Sequence, residues 1–399
     1  MSTPDVTRDL TIRFGSEYGP EEEAAILEVL RRGAPTSDVS CRRFEEEFAA
    51  YCGTRYARTV TNGTAALFLA LLGAGVGKGS RVVTTPLTWI ASAAAAVTLG
   101  AELDFADIDP VTYNMDPGQL EEKVGRSTQA VVPVHLYGQC CDMDPIRRLS
   151  EKHGFSIIED ACHALGATYK GTKAGNLGRA GCFSFHEQKN ISTLGEGGMV
   201  VTSDAALFER VSLYRSHCTR VYGSSLKYCR LDESRRPMGK RFWYQDFDDC
   251  GYNFRMTDVQ AAVGSVQLGR LDGFNARRAE NARYLGERLS AIPGLTLPRV
   301  MEGATHVYHL YPVLIREEAF GMGKEDFVYE MHRRHGIKVG THYTPIHLSQ
   351  AFRSRGFRPG QFPVAESVAD RLVTLPINPR QTREALDHLV ACIADLARA

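Results

Sequence analysis

The sequence has no excess of charge of either sign. Lys and Arg total 47 and Asp and Glu total 47. Without a basic field, no nucleic-acid partner is expected, although a few local groups can still hold a small anion. The N-terminal stretch "MSTPDVTRDLTIRFG" contains no apolar core, so no secretory signal is expected. The longest apolar run, around "WIASAAAAVTLGA", is too short and too rich in alanine for a membrane span. The 10 cysteines form no C-x-x-C pair; only Cys140 and Cys141 are adjacent. That argues against zinc and thioredoxin-like chemistry, and no metal site is expected. Reduced, buried thiols in a cytoplasmic protein are the expectation. Internal repeats and low-complexity tracts are also missing.

What is there is a chain of 399 residues, 43% hydrophobic and 24% charged, long enough for two or more domains. Residues 19–33 predict a helix, with Pro at the start, acids in the first turn, arginines in the last and Gly after it. Residues 41–53 predict a second. Strands at 55–61, 80–86, 102–108, 129–138 and 156–160 then alternate with helices at 64–75, 88–100, 116–124 and 143–154. Strands at 181–187 and 197–203 and a helix at 205–217 follow. This rhythm, with strands rich in Val and Ile, predicts an α/β fold with a mostly parallel sheet covered on both faces. Residues 257–290 read as one long helix with a possible break near Gly269–Gly273. The division expected is a large α/β domain over 1–264 and a smaller C-terminal α+β domain over 265–399.

Residues 218–247 show no clear period. Arg220, Lys227, Arg230, Arg235, Arg236, Lys240 and Arg241 outnumber Asp232, Glu233 and Asp246, with aromatics interleaved. A loop of this length is either functional or a solvated excursion.

In an open α/β sheet, ligands sit beyond the carboxyl ends of the strands. There "FSIIED" ends in Glu159 and Asp160, "GCFSFHEQK" leads to Lys189, "VTNGTAAL" opens a helix at Thr64, and "TTPLTWI" carries Trp89 past a strand. Together they suit pyridoxal phosphate (PLP). A lysine amine forms a Schiff base with the cofactor aldehyde, and burial favours the neutral amine this needs. A carboxylate keeps the ring nitrogen protonated. Asp160 is the candidate, and alternation along the strand turns its rival Glu159 to the other side. Gly63, Thr64 and Ala65 offer backbone N–H groups to a phosphate, Ser184 a hydroxyl, and Trp89 a face for the ring. Taken singly, Asp160 also reads as a helix cap, "NGT" as an ordinary turn, Trp89 as a core residue, and His163 and His186 as hydrogen-bonded structural histidines.

The order and spacing of "VTNGTAAL", "PLTWIAS", "VPVHLYGQ", "IIEDACHALGATYKG", "FSFHEQKN", "GEGGMVVT" and "GYNFRMTDVQAA" resemble the DegT/DnrJ/StrS-type PLP-dependent sugar aminotransferases, within fold-type I. The resemblance runs from about "FEEEFAAYCG" to "TLPINP". It implies Lys189 as the Schiff-base lysine, Asp160 as the pyridinium partner and His163 in the shell around the ring. It implies Thr64, Ala65 and Ser184 as phosphate binders and Trp89 as the stacking aromatic. Asn253 matches a residue that such enzymes lend to the neighbouring subunit's cofactor, which implies a homodimer with composite sites.

The expected reaction moves an amino group from glutamate or glutamine to the keto group of a nucleotide-linked sugar. A keto-cyclitol or aminoglycoside precursor is the alternative acceptor. A dehydratase branch carries histidine where this chain has Lys189, and a regulator that binds PLP or sugar without turnover is a further alternative. For the substrate diphosphate the candidates are Arg220, Lys227, Arg230 and Arg241, and for the sugar Tyr343 and His347. Where the family commonly reads "RSHG" this chain reads "RSHCTR" ahead of the basic segment, a departure in the substrate pocket.

Overall fold

The computed structural model describes residues 10, 15–33, 35–36, 38–221, 229–235 and 243–397. The first helix, Pro20–Arg32, is closed at its start by Glu22, whose side chain accepts the Gly19 N–H at 2.7 Å. It ends at Gly33 with φ 72°, the left-handed conformation that glycine adopts freely. A second helix spans Val39–Cys52.

Seven strands make the central sheet: β1 Tyr56–Val60, β2 Arg81–Thr84, β3 Glu102–Phe105, β4 Thr128–Val131, β5 Ser156–Asp160, β6 Ala180–Ser184 and β7 Gly198–Thr202. Their order is β1-β7-β6-β5-β4-β2-β3, and β7 alone runs against the others. The fourth strand is shorter than the predicted 129–138. Pro133 has no N–H to give, and beyond it Val134 makes a single bridge to Asp160.

Strand alternation divides the interior in two. Ile157, Phe183 and Met199 join Phe44 and Phe48 in one apolar core, while Ile158, Cys182 and Val200 join Leu67 and Leu69 in the other. Adjacent residues of one strand therefore face opposite sides.

The long helix, Asp258–Leu289, runs 32 residues without the expected break. A Cβ at Gly269 or Gly273 would meet nothing within 4 Å, so both glycines lie on an open face and cost only helix propensity. The helix starts with Thr257 and Gln260 in a capping box. Its first half packs Ala261, Leu268, Leu271 and Phe274 into the core with Phe44. Its second half packs Ala282, Leu285 and Leu289 into a separate core. That second core lies under a three-stranded antiparallel sheet of Leu295–Thr296, Tyr311–Ile315 and Leu372–Leu375, covered by helices Lys324–His335 and Arg383–Leu396.

Candidate active site

Strands β5 and β6 are parallel neighbours and both end at one cleft of ≈ 990 Å³. Gly63, Thr64, Trp89, Asp160, Ser184 and Lys189 line it from the large sheet's side. The continuous segment 338–346 lines it from the other.

Asp160 and Glu159 show what alternation does. Glu159 is fully buried beneath the sheet, where its carboxylate accepts N–H groups of Gly175, Leu177 and Gly178 at 2.6–2.7 Å. Its Oε2 also lies 2.9 Å from His135 Nε2. Every lone pair is engaged, and no ligand reaches it. Asp160 points into the cleft instead. Ser92 Oγ donates to its Oδ2 at 2.7 Å and the Cys162 N–H to its Oδ1 at 3.2 Å. Both donors are neutral, so they orient the carboxylate and leave its charge for the cleft.

Lys189 follows β6 by five residues, and its N–H donates to His186 O at 2.8 Å. Its Nζ has no hydrogen bond or ion pair among the described residues. Burial pushes its ammonium below the usual lysine range, against the opposing pull of Cys162, Asp160 and Glu196. Gly15 holds the backbone here. Its N–H donates to Glu187 O at 2.9 Å, and a Cβ on it would fall 1.6 Å from the Lys189 carbonyl oxygen.

Helix Gly63–Gly73 points its N-terminus at the same cleft. A Cβ on Gly63 would sit 2.8 Å from Ser184 Cβ, so glycine permits the helix end to touch the end of β6. Two N–H groups, those of Gly63 and Thr64, are held at the cleft. Ala65 is not: its N–H is taken by the Asn62 side chain at 2.9 Å, and it does not line the cavity. The cap residue competes for the donor that Ala65 was expected to offer a phosphate.

Trp89 is 60% exposed and leans on Tyr343, with ring centroids 6.0 Å apart. His163 is buried, and burial beside Lys189 and His342 holds its imidazole well below the usual histidine range. Tyr343 lines the cleft, but His347 does not. His347 is fully buried, 3.0 Å from Glu366 Oε1 and edge-on to Phe362, and so serves packing rather than a sugar.

The basic segment also departs from expectation. Thr219–Val221 pairs with Gln245–Phe247 as a short hairpin. Arg220 binds Asp248 at 2.6 Å and approaches Glu209 at 3.5 Å, while Arg235 engages Asp246 and Asp248. Neither Arg220 nor Arg230 lines the cleft of its own chain. The expected lysine and arginine at 227 and 241, Lys227 and Arg241, lie outside the described residues. Asn253 is exposed, forms a bridge with Ser216, and also stands outside that cleft.

Several groups at the cleft carried no signal in the sequence. Ser92 sits in an alanine-rich helix. Arg278 is buried in the long helix and donates to the carbonyls of Gly15, Tyr308 and Ile377 at 2.7–3.1 Å. His309 packs on His163 with centroids 4.3 Å apart. Glu196 and Lys338 line the rim.

A cleft that joins an amine held toward neutrality, a carboxylate oriented by neutral donors and a helix N-terminus fits a transaminase built on PLP. Lys189 matches the cofactor's aldehyde, Asp160 its ring nitrogen, and the Gly63 and Thr64 N–H groups with Ser184 its phosphate.

The chain belongs to the DegT/DnrJ/EryC1/StrS aminotransferase family, whose model matches residues 17–394. The family is PLP-dependent, and the protein is an aminotransferase with pyridoxal 5′-phosphate as its cofactor. It is 35% identical to the spore coat polysaccharide biosynthesis protein SpsC of Bacillus subtilis, over 95% of each chain. It is 38% identical to the erythromycin biosynthesis sensory transduction protein EryC1 of Saccharopolyspora erythraea, over 88% of each. Among solved structures it resembles DesV of S. venezuelae in complex with a ketimine intermediate, with TM-score 0.84, 34% identity and 95% of each chain covered. The expected fold, a large mostly parallel α/β sheet of the fold-type I transferases, is the fold observed. Among the described residues no helix is long and apolar enough to cross a membrane.

Proposed function

We propose that this protein transfers an amino group from glutamate or glutamine to the keto group of a nucleotide-linked sugar. The observation that carries the reading is the Lys189 amine, half-buried, without an ion-pair partner among the described residues, and in the same cleft as Asp160. The relative SpsC, a spore coat polysaccharide biosynthesis protein, supports a carbohydrate acceptor.

When bound, PLP supplies an electron sink for the pair left behind when a proton leaves carbon. The remaining work falls to side chains. Lys189 would hold the cofactor's aldehyde carbon, and once displaced its Nζ would take the donor's α-proton and return a proton to the former aldehyde carbon, on the far side of the amino nitrogen. Its lowered pKa makes the neutral base available. Asp160 holds a proton on the ring nitrogen, with Ser92 and the Cys162 N–H fixing the carboxylate. The Gly63 and Thr64 N–H groups and Ser184 would receive the phosphate, and Trp89 would offer a face to the ring. In the second half-reaction Lys189 would reverse the proton transfers on the keto-sugar, with segment 338–346 walling that side of the cleft. Such proton transfer typically contributes about 10²–10⁴-fold.

The reading includes a homodimer with composite sites. Exposed Asn253 and the neighbouring basic hairpin stand outside their own cleft, where they are free to face a second chain. In that assembly the basic segment, through Lys227, Arg230 and Arg241, meets the substrate's diphosphate across the interface, while Arg220 stays with Asp248. Mixing inactive Lys189→Ala chains with Asn253→Ala chains should restore part of the activity. A monomer in solution, or no restoration, removes the composite site.

The reaction itself is tested with a panel of acceptors. The PLP-loaded protein should lose its long-wavelength absorption on adding glutamate or glutamine and regain it on adding a keto-sugar nucleotide. Recovery with a keto-cyclitol alone would replace the sugar nucleotide with that acceptor.

A further inference from the structure

One hydroxyl in the cleft has its hydrogen bonding set from behind. The Tyr137 N–H donates to His163 Nδ1 at 3.4 Å. A ring nitrogen that accepts an N–H carries no proton, so neutral His163 bears its proton on Nε2. That nitrogen lies 3.3 Å from Tyr343 Oη. The bond between them therefore runs from His163 Nε2–H to the tyrosine oxygen. Burial, with Lys189 and His342 nearby, keeps the imidazole neutral, so it does not switch to a doubly protonated form that would drop the Tyr137 contact. Burial also keeps the Tyr343 phenol protonated. With one side of Oη accepting from His163, the hydroxyl proton is left over. It has no acceptor among the described residues, and Tyr343 lines the cleft.

We propose that Tyr343 is a hydrogen-bond donor to an oxygen acceptor on the ligand in the cleft, and that His163 is the positioning residue that gives the hydroxyl this polarity. A ligand oxygen offering a lone pair at this point is favoured, and an N–H group there is disfavoured because both would donate. Two ligands bring such an oxygen: the cofactor ring, and the hydroxyl or keto group of the sugar acceptor. The second rests on the function proposed above.

Four variants read this out: Tyr343→Phe, His163→Leu, His163→Gln and the Tyr343→Phe/His163→Leu double. Two measurements separate the sources, the Kd of PLP for the apo-protein by fluorescence titration and the KM of a keto-sugar nucleotide. Tyr343→Phe keeps the ring's contacts with Trp89 and His163 and removes only the oxygen, so folding is not at issue. It should weaken one of the two measurements about three- to tenfold, the worth of one neutral hydrogen bond. His163→Leu should match it, and the double variant should lose no more than either single one. Glutamine can accept the Tyr137 N–H and donate to Oη, so His163→Gln should recover most of what His163→Leu loses. Tyr343→Phe indistinguishable from wild type in both measurements overturns the proposal, as do losses that multiply in the double variant. If wild-type protein binds PLP but turns over no keto-sugar nucleotide, the proposed function fails, while the Kd measurement still decides the role of Tyr343.

Discussion

The carboxyl end of the central sheet and the hairpin at 219–247 both gather charge, and they treat it in opposite ways. In the hairpin Arg220 is met by Asp248, and Arg235 by Asp246 and Asp248. At the sheet end, Asp160 is bound by a serine hydroxyl and a backbone N–H, and Lys189 by no acid. Charge met by opposite charge builds a scaffold. Charge oriented by neutral donors stays available to a ligand. A count of basic residues along the sequence does not separate the two cases, which is why the basic segment attracted a phosphate reading that its own chain's cleft does not bear.

The comparison breaks most visibly at Lys189. Lys189→Ala should abolish transamination to below about 1% of wild type, because it removes covalent attachment and the proton shuttle together. Retention of more than a few per cent in a coupled assay would mean the amine lies elsewhere. The same residue sets a pH limb. The neutral amine is the active form and its pKa lies below the ordinary 10.5. The rate at which the PLP-free protein forms its bond to PLP should therefore fall as pH drops through that lowered value and level off above it. A limb at 10.5 itself would show that burial does not act on this lysine.

Asp160→Asn comes next. It keeps the shape and loses the charge, and should cost on the order of 10²-fold in kcat with modest change in stability. Its neighbour sharpens the contrast, since Glu159→Gln should leave the chemistry in place and cost about 3 kcal/mol of stability in urea titration. A buried acceptor of three N–H groups cannot give up its charge freely. If the two variants exchanged phenotypes, the assignment of faces along β5 would be wrong.

The smallest effect belongs to the hairpin. Asp248→Asn removes a partner from two arginines, yet should shift PLP affinity by less than about twofold, as exposed ion pairs contribute little. Its carboxyl is partly desolvated, but Arg235 and Arg220 hold it below the usual range. The pairing is thus present at neutral pH and lost as acid protonates Asp248. Hydrogen-exchange protection of Thr219–Val221 should follow that loss, and protection indifferent to acid would show that the ion pairs do not hold the hairpin.

Much of this was readable from residue order. The βα rhythm predicts the sheet, and strand alternation alone separates Asp160 from Glu159. Local patterns stop short where a partner comes from far along the chain. Nothing near His347 announces Glu366, whereas Asn62, the cap residue just ahead of Ala65, is a local signal for the lost N–H. Ser92 hides in "ASAAAAVT" because a lone serine among alanines is unremarkable until the helix aims it at Asp160. Glycine at 269 and 273 suggested a break because propensity counts against it. Packing on both flanks outweighs that cost.

That helix has a consequence for how the molecule comes apart. Its two halves belong to different interiors, so neither interior can open without baring the apolar stripe that serves the other. Heating should therefore yield a single calorimetric peak rather than two, and a chain severed at residue 264 should yield insoluble fragments. The rigid rod also gives segment 338–346 and the sheet end a shared mechanical reference, so that the jaws of the cleft are aligned by one continuous beam.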